Sequence, residues 1–357
     1  MQKKKILFIC GSINQTTQMH QIANALPEYE AWFTPYYSDG LEKALYHARL
    51  AEMTVMGNKL IQRCLAYLQQ HNLPIDNGGS QYDYELVVTC SDLVVQRNIH
   101  HKKIILVQEG MTDPENLAFH LVKALPFLPR WIAGTATTGL SQAYQKFCVA
   151  SEGYRDLFIR KGVNPEKICV TGIPNFDHCA KYHENDFPHK NFVLVCTSDT
   201  RETFQYENRK KIIENALAVA NGRQLIFKLH PNENFAKATR EINQWAPQAL
   251  VYELGGAEQM IANCETLITR FSSTVYVGIA LGKEVYSDYP LETLKRLTPI
   301  QNDGNSANHI AKIVRQEVAS GVIPIRYSRP RLLPTENWAP VVKHFTNRIQ
   351  QRLRPNP

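Results

Sequence analysis

The chain has 357 residues, room for about two domains of ordinary size. Hydrophobic residues make up 44% and charged residues 20%, which excludes a disordered chain, and no apolar run approaches the ~20 residues that span a bilayer. Lys and Arg number 40 against 33 Asp and Glu, a net charge of +7 that suits an anionic ligand or surface and says nothing of fold.

The first predicted element is a short, almost wholly apolar strand at residues 5–10. The loop Gly11-Ser-Ile-Asn-Gln-Thr-Thr17 and a helix at 18–26 follow it, the opening unit of a parallel α/β sheet. Further strands are predicted at 85–89, Lys103–Val107, 146–150 and 167–171, each short, apolar and bounded by polar residues, as buried parallel strands are. Helical patterns lie between them, at 42–71 with a break near Gly57 and at 153–161. Residues 172–190 read as a linker, because Pro174 and Pro188 disfavour regular structure.

The alternation then restarts. Strand 192–196, loop 197–200, helix 203–221, strand 224–229 and helix 234–245 come first. Strand 250–253, helix Ala257–Asn263, strand Thr266–Thr269, helix 274–281 and strand 284–287 follow. A helix at 306–320 and an amphipathic helix at 338–353 end the series. The expected architecture is α/β, with two Rossmann-like domains facing across a cleft. They occupy residues 1–174 and 175–330, and residues 331–357 pack back on the first. Clefts between domains are default binding sites.

Eight cysteines are scattered with no C-x-x-C pair, several in apolar strands, and no signal peptide precedes them. This points to a reducing cytoplasm. Arg326, Arg329, Arg331, Lys343, Arg348, Arg352 and Arg354 crowd the C-terminus with Glu336 nearly alone against them. They form either a peripheral contact with the inner membrane face or a solvated helix face.

In open α/β sheets ligands bind outside the carboxyl ends of the strands. Two such ends stand out. The run from Gln224 ends in His230-Pro231, and the run from Glu265 ends in Phe271-Ser-Ser-Thr274. His230, as cation or donor, suits a departing phosphate, or else bonds a loop carbonyl. Ser272, Ser273 and Thr274 either cap the next helix or offer hydroxyls and free amides to an anion, with Arg270 adding charge or lying solvated. Thr197 and Ser198 carry the same two readings. Glu109, beside Gly110 at a strand end, is placed as general base for a hydroxyl nucleophile or caps the next turn, and Asp92 is its rival.

There is no G-x-G-x-x-G after the first strand and no G-K-[ST] loop, which disfavours a nicotinamide enzyme or a nucleotide triphosphatase. No histidine–carboxylate spacing reads as zinc.

The phrases Ala150-Ser-Glu-Gly-Tyr-Arg155, Gly162-Val-Asn-Pro-Glu-Lys-Ile168, Val170-Thr-Gly-Ile-Pro-Asn-Phe-Asp177, Lys228-Leu-His-Pro231, Phe271-Ser-Ser-Thr274 and Leu281-Gly-Lys-Glu-Val285 resemble those of the GT-B superfamily of nucleotide-sugar enzymes. The resemblance covers nearly the whole length. Within it, bacterial sialyltransferases and related capsule enzymes combine D/E-D/E-G, H-P and S-S/T motifs. Here Gln108-Glu109-Gly110, His230-Pro231 and Ser272-Ser273 are similar, in the same order, with a departure at Gln108. The resemblance implies Glu109 as acceptor base, His230 at the donor phosphate and the serines on phosphate oxygens; Lys228, just before His230, is a further candidate site residue.

CDP-glycerol-type glycerophosphotransferases share a similar H-P and a Ser-Ser segment before a Gly-Lys turn. UDP-N-acetylglucosamine 2-epimerases share the fold and the Val-Thr-Gly phrase, but usually carry an arginine in the first strand–helix loop, absent here.

The expected function is a metal-independent glycosyltransferase that uses a CMP- or UDP-linked sugar donor, bound mainly by the second domain. It would act on a glycan or lipid-linked acceptor held by the first, in surface polysaccharide synthesis. No cofactor and no nucleic-acid partner are expected. Glycerophosphoryl transfer, epimerisation and a nucleotide-binding relic without turnover are the alternatives.

Overall fold

A computed structural model of the protein describes residues 3–39, 58–125, 127–198, 201 and 207–321. Eleven strands form two wholly parallel sheets among these residues. The first contains β1 (Lys5–Ile9), β2 (Glu30–Thr34), β3 (Leu86–Thr89), β4 (Lys103–Val107), β5 (Lys146–Val149) and β6 (Ile168–Val170), in the order β2-β1-β3-β4-β5-β6. The second contains β7 (Val193–Cys196), β8 (Leu225–Lys228), β9 (Leu250–Tyr252), β10 (Thr266–Thr269) and β11 (Glu284–Tyr286), in the order β11-β10-β7-β8-β9. These are two Rossmann-like domains, as expected. Strand β2 was not anticipated. Its Glu-Ala-Trp-Phe-Thr sequence starts polar and half-exposed at a sheet edge, so it lacks the apolar run of its neighbours.

Each interior strand feeds two cores, because alternate side chains leave opposite faces of a sheet. Ile6 and Phe8 of β1 join one cluster and Leu7 and Ile9 another. Val193 and Val195 of β7 pack under α5 (Arg209–Ala220) and α6 (Phe235–Trp245), while Leu194 and Cys196 face the other way. The shared inner core runs across the domain junction. It joins Val149 and Phe158 of the first domain to Phe192 and Tyr276 of the second.

The remaining described helices are α1 (Ile13–Asn24), α2 (Asn58–Gln70), α3 (Leu117–Ala124), α4 (Glu152–Lys161), α7 (Ala257–Asn263), α8 (Thr274–Ala280), α9 (Leu291–Leu297) and α10 (Ser306–Ala319). Helices α3 and α9 were not predicted. Residues 42–57 of the expected long helix lie outside the described residues, and so do 203–206.

Helix α10 corrects the expected division of the chain. It was placed with residues 175–330, yet it packs on the first domain. Ala307, Ile310, Ala311, Val314 and Val318 form one helical stripe and bury against the cluster of Ile6, Phe8, Met19 and Ile22. Lys103 Nζ donates to the Glu317 and Ser320 carbonyls, both at 2.7 Å. The chain therefore crosses between domains twice, after β6 and after α9. The expected helix at 338–353, the segment 331–357 and its arginines lie outside the described residues.

Candidate active site

In the first sheet the strand order reverses between β1 and β3, and in the second between β7 and β10. Such switch points open crevices at the strand ends. The loops after β3, β4, β7, β8 and β10 hold the site residues foreseen from sequence, apart from Lys228 at the end of β8 itself.

Glu109 is half-buried just after β4. Ser12 Oγ donates to its Oε1 and Gln15 Nε2 to its Oε2, each at 2.6 Å. Ser12 is the N-cap of α1 and also accepts from the Gln15 amide at 3.2 Å. The first loop thus folds its own helix start around the carboxylate. Gly11 makes room, since a Cβ there would lie 1.9 Å from Gln15 Oε1. Each carboxylate oxygen keeps a further lone pair.

The departure at Gln108 has a structural cause. Gln108 is 1% exposed; its Nε2 donates to the Gly110 carbonyl at 2.7 Å and its Oε1 accepts from the Ala150 amide at 2.9 Å. A carboxylate could not make the first bond.

Asp92 is corrected. Its side chain is buried, and its two oxygens accept from the Gly139 and Ser141 amides at 2.9 and 3.0 Å. It braces the loop before β5 and, unlike the half-buried Glu109, is 4% exposed.

In the second domain His230 leaves β8 half-buried. Its Nδ1 accepts from the Asn232 amide at 3.3 Å, so the neutral ring carries its proton on Nε2. Its own amide donates to Thr197 Oγ1 at 3.0 Å and to Glu233 Oε2 at 3.1 Å. Thr197 Oγ1 in turn donates to Glu233. Thr197 is therefore spent on holding the His-Pro turn, which corrects its reading as a phosphate contact.

Glu233 and Glu207 side chains are 1% and 2% exposed. Arg209 joins them, at 2.5 Å to Glu233 and 2.8 Å to Glu207. Buried charges must pair in this way or neutralise. Ser198 Oγ lies 3.4 Å from Glu207 Oε2. Lys228 is also corrected. Its ammonium donates to the Leu229 and Glu253 carbonyls at 3.0 and 2.8 Å, and burial lowers its pKa. It ties two strand ends together.

Ser272, Ser273 and Thr274 are half-buried at the start of α8. Ser273 stands at the N-cap but makes no capping bond with its side chain, and Ser272 Oγ accepts from Thr274 Oγ1 at 3.0 Å. Arg270 bonds Asp288 at 2.8 Å and stays partly exposed. Positions 199 and 200 lie outside the described residues.

The two halves meet. A Cβ placed on Gly110 would lie 3.7 Å from Ser273 Cβ and 3.6 Å from the Phe176 ring. The carboxylate loop of the first domain and the hydroxyl turn of the second are thus in van der Waals reach. Sequence reasoning missed Ser12, Gln15, Glu207, Arg209 and Glu233. Only the first pair had a signal, a polar loop directly after a buried strand. Among the described residues no three His, Cys, Asp or Glu side chains gather to hold a metal, and no helix is long and apolar enough to cross a membrane.

Two parallel-sheet domains joined by two crossings, with their strand ends meeting, define a GT-B fold. The chain has that fold, which nucleotide-sugar enzymes also build. UDP-GlcNAc 2-epimerase from Neisseria meningitidis, bound to UDP-GlcNAc, matches with a TM-score of 0.53 and 13% identity, over 87% of this chain and 100% of that one. The 2-epimerase from Methanocaldococcus jannaschii matches at 0.50 and 15% identity, over 96% and 99%. The wall teichoic acid polymerase TagF matches at 0.47 and 10% identity, over 88% and 89%. No protein-family model and no curated protein sequence matches the chain.

Proposed function

We propose that the protein is a glycosyltransferase that moves a sugar from a nucleotide-activated donor, CMP- or UDP-linked, to an acceptor hydroxyl. The observation that carries this reading is the approach of the Glu109–Gly110 loop to Ser273. The loop that carries the carboxylate and the turn that carries the hydroxyls come from different domains, which supports a reading in which an attacking hydroxyl and a glycosidic phosphate bond are held between them.

In this mechanism Ser12 and Gln15 orient the Glu109 carboxylate, which takes the acceptor proton as the oxygen attacks the anomeric carbon. The nucleotide phosphate leaves with the bonding electrons. His230 Nε2–H, Ser272 and Ser273 donate to its oxygens as charge develops there, with Arg270 near by. No step calls for a metal.

The experiment joins binding to turnover. A thermal-shift panel of CMP, CDP, UDP, GDP and ADP identifies the base, since a ligand that binds only the folded state raises its stability. The matching donor is then offered to a mixed acceptor panel with wild type and Glu109→Gln. The nearly isosteric amide keeps donor affinity and lowers transfer by about 10²–10⁴-fold, because it cannot take the proton. Full transfer by the variant would move the base elsewhere.

A second reading is 2-epimerisation of a nucleotide sugar, suggested by the likeness of fold to the Neisseria enzyme over 87% of this chain. The same assay separates the two. Epimerised donor formed without any acceptor supports the second reading and retires the first.

A further inference from the structure

Beside the Gly110–Ser273 approach lies a buried pair of phenols, one from each domain. Tyr154 sits in the first turn of α4, in the first domain. Tyr276 sits in α8, two residues beyond Thr274, in the second. Their hydroxyl oxygens are 2.6 Å apart, each residue is 1% exposed, and the rings meet edge to face at 6.3 Å. Phe176, from the crossing segment, stands edge-on to Tyr276 at 6.4 Å. The same Phe176 ring lies against Gly110. Gln108 and the Thr112 main chain are the hydrogen-bonding groups that face the Tyr154 hydroxyl. One aromatic cluster is therefore touched by the Glu109 loop, by the crossing segment and by the helix that begins at the serines. Burial holds both phenols far above their ordinary pKa, so the contact is a bond between neutral hydroxyls.

Two phenylalanines would fill this volume without desolvating two hydroxyls. What the hydroxyls add is direction, a bond that fixes how α4 and α8 sit against each other. We propose that the Tyr154–Tyr276 hydroxyl pair is an interdomain latch that positions the Ser272–Ser273 turn against the Glu109 loop. This rests on the reading of those groups as phosphate contact and base. The tyrosines are positioning residues and touch no substrate.

The test uses Tyr154→Phe, Tyr276→Phe and the double variant of the full chain. Tyr154→Phe strands the buried Tyr276 hydroxyl and lowers the melting temperature, Tyr276→Phe leaves the Tyr154 hydroxyl its bonds to Gln108 and Thr112 and lowers it less, and the double change removes the stranded hydroxyl and recovers most of the loss. A latch predicts that kcat stays about tenfold or more below wild type in the double variant, with nucleotide Kd unchanged, because small misplacements of reacting groups are costly. Recovery of kcat together with stability would overturn it. Amide hydrogen exchange at 108–112 and 273–277, without ligand, reads the latch independently of chemistry. Exchange about tenfold faster in the double variant is expected, through local opening at unchanged global stability. Unchanged exchange would also overturn the proposal. Faster exchange in a protein whose wild type transfers nothing would retire the transferase reading and keep the latch.

Discussion

At the scale of single residues, the proposed transfer turns on where protons are held. The Asn232 amide bonds His230 Nδ1 and leaves the proton on Nε2. Charge reaches a leaving phosphate only as its bond breaks, so a group aimed there acts mostly in the transition state. His230→Ala is expected to lower kcat about 10²-fold or more while nucleotide affinity, measured by calorimetry, changes little. Equal losses in both would make His230 a plain binding residue.

Lys161 shows the reverse case, a charge with no hydrogen-bond partner among the described residues. It is 2% exposed, its ammonium lies 5.8 and 5.9 Å from the Phe119 and Phe158 ring centres, and burial lowers its pKa to about 8. Its pKa in the unfolded chain is higher, near the ordinary lysine value. Between those two values the unfolded state binds more protons, so stability rises with pH across that window. Lys161→Met should be more stable than wild type at pH 7, by on the order of 2–3 kcal/mol, with the advantage shrinking toward pH 10. Urea denaturation of both proteins from pH 7 to 10 measures this, and a constant difference would refute it.

At the scale of elements, short turns at strand ends are given two kinds of task. Some polar groups hold the turn and others are left for a ligand. Thr197, Glu233 and Arg209 belong to the first kind, since all three are bonded beneath the His-Pro turn. Ser273 gives α8 no capping bond from its side chain, and in the proposed function it belongs to the second kind. Ser272→Ala with Ser273→Ala should therefore weaken nucleotide binding by about 1–3 kcal/mol and barely move the melting temperature. A loss of stability of that size with unchanged affinity would return both serines to a capping role.

At the scale of the whole molecule, the two crossings are bonded to each other and act as one joint. Asp177 is 2% exposed; its carboxylate accepts from the Ser306 amide at 2.7 Å and its carbonyl from the Asn302 amide at 2.8 Å. Gly172 has a φ of +72°, and a Cβ there would lie 2.3 Å from Ser306 Oγ. The Thr-Gly-Ile-Pro phrase that marked the superfamily is thus the place where the outgoing and returning chains touch. Asp177→Ala would leave the Ser306 amide buried without its acceptor, at a cost of about 1–3 kcal/mol. A melting temperature several degrees lower, largely restored by Asp177→Asn, is the expected calorimetric result. No change would show that the joint draws its strength elsewhere.

Local pattern was enough to read ten of the eleven strands, because buried parallel strands are short apolar runs with polar ends. It was enough to put Glu109, His230 and Ser272–Ser273 at strand ends, where ligands collect in sheets of this kind. Only the tertiary structure separated residues that hold a turn from residues left over. Asp92, Thr197 and Lys228 look like ligands in sequence, and their hydrogen bonds show them to be braces. Burial also explains Gln108, whose position demands a donor and an acceptor together. The return of α10 to the first domain depends on contacts some 290 residues apart in sequence, such as Arg315 with the Ala25 carbonyl. No local pattern encodes which of two apolar faces a stripe will meet. That choice is made when the whole chain closes, and it is also what brings Gly110 to Ser273.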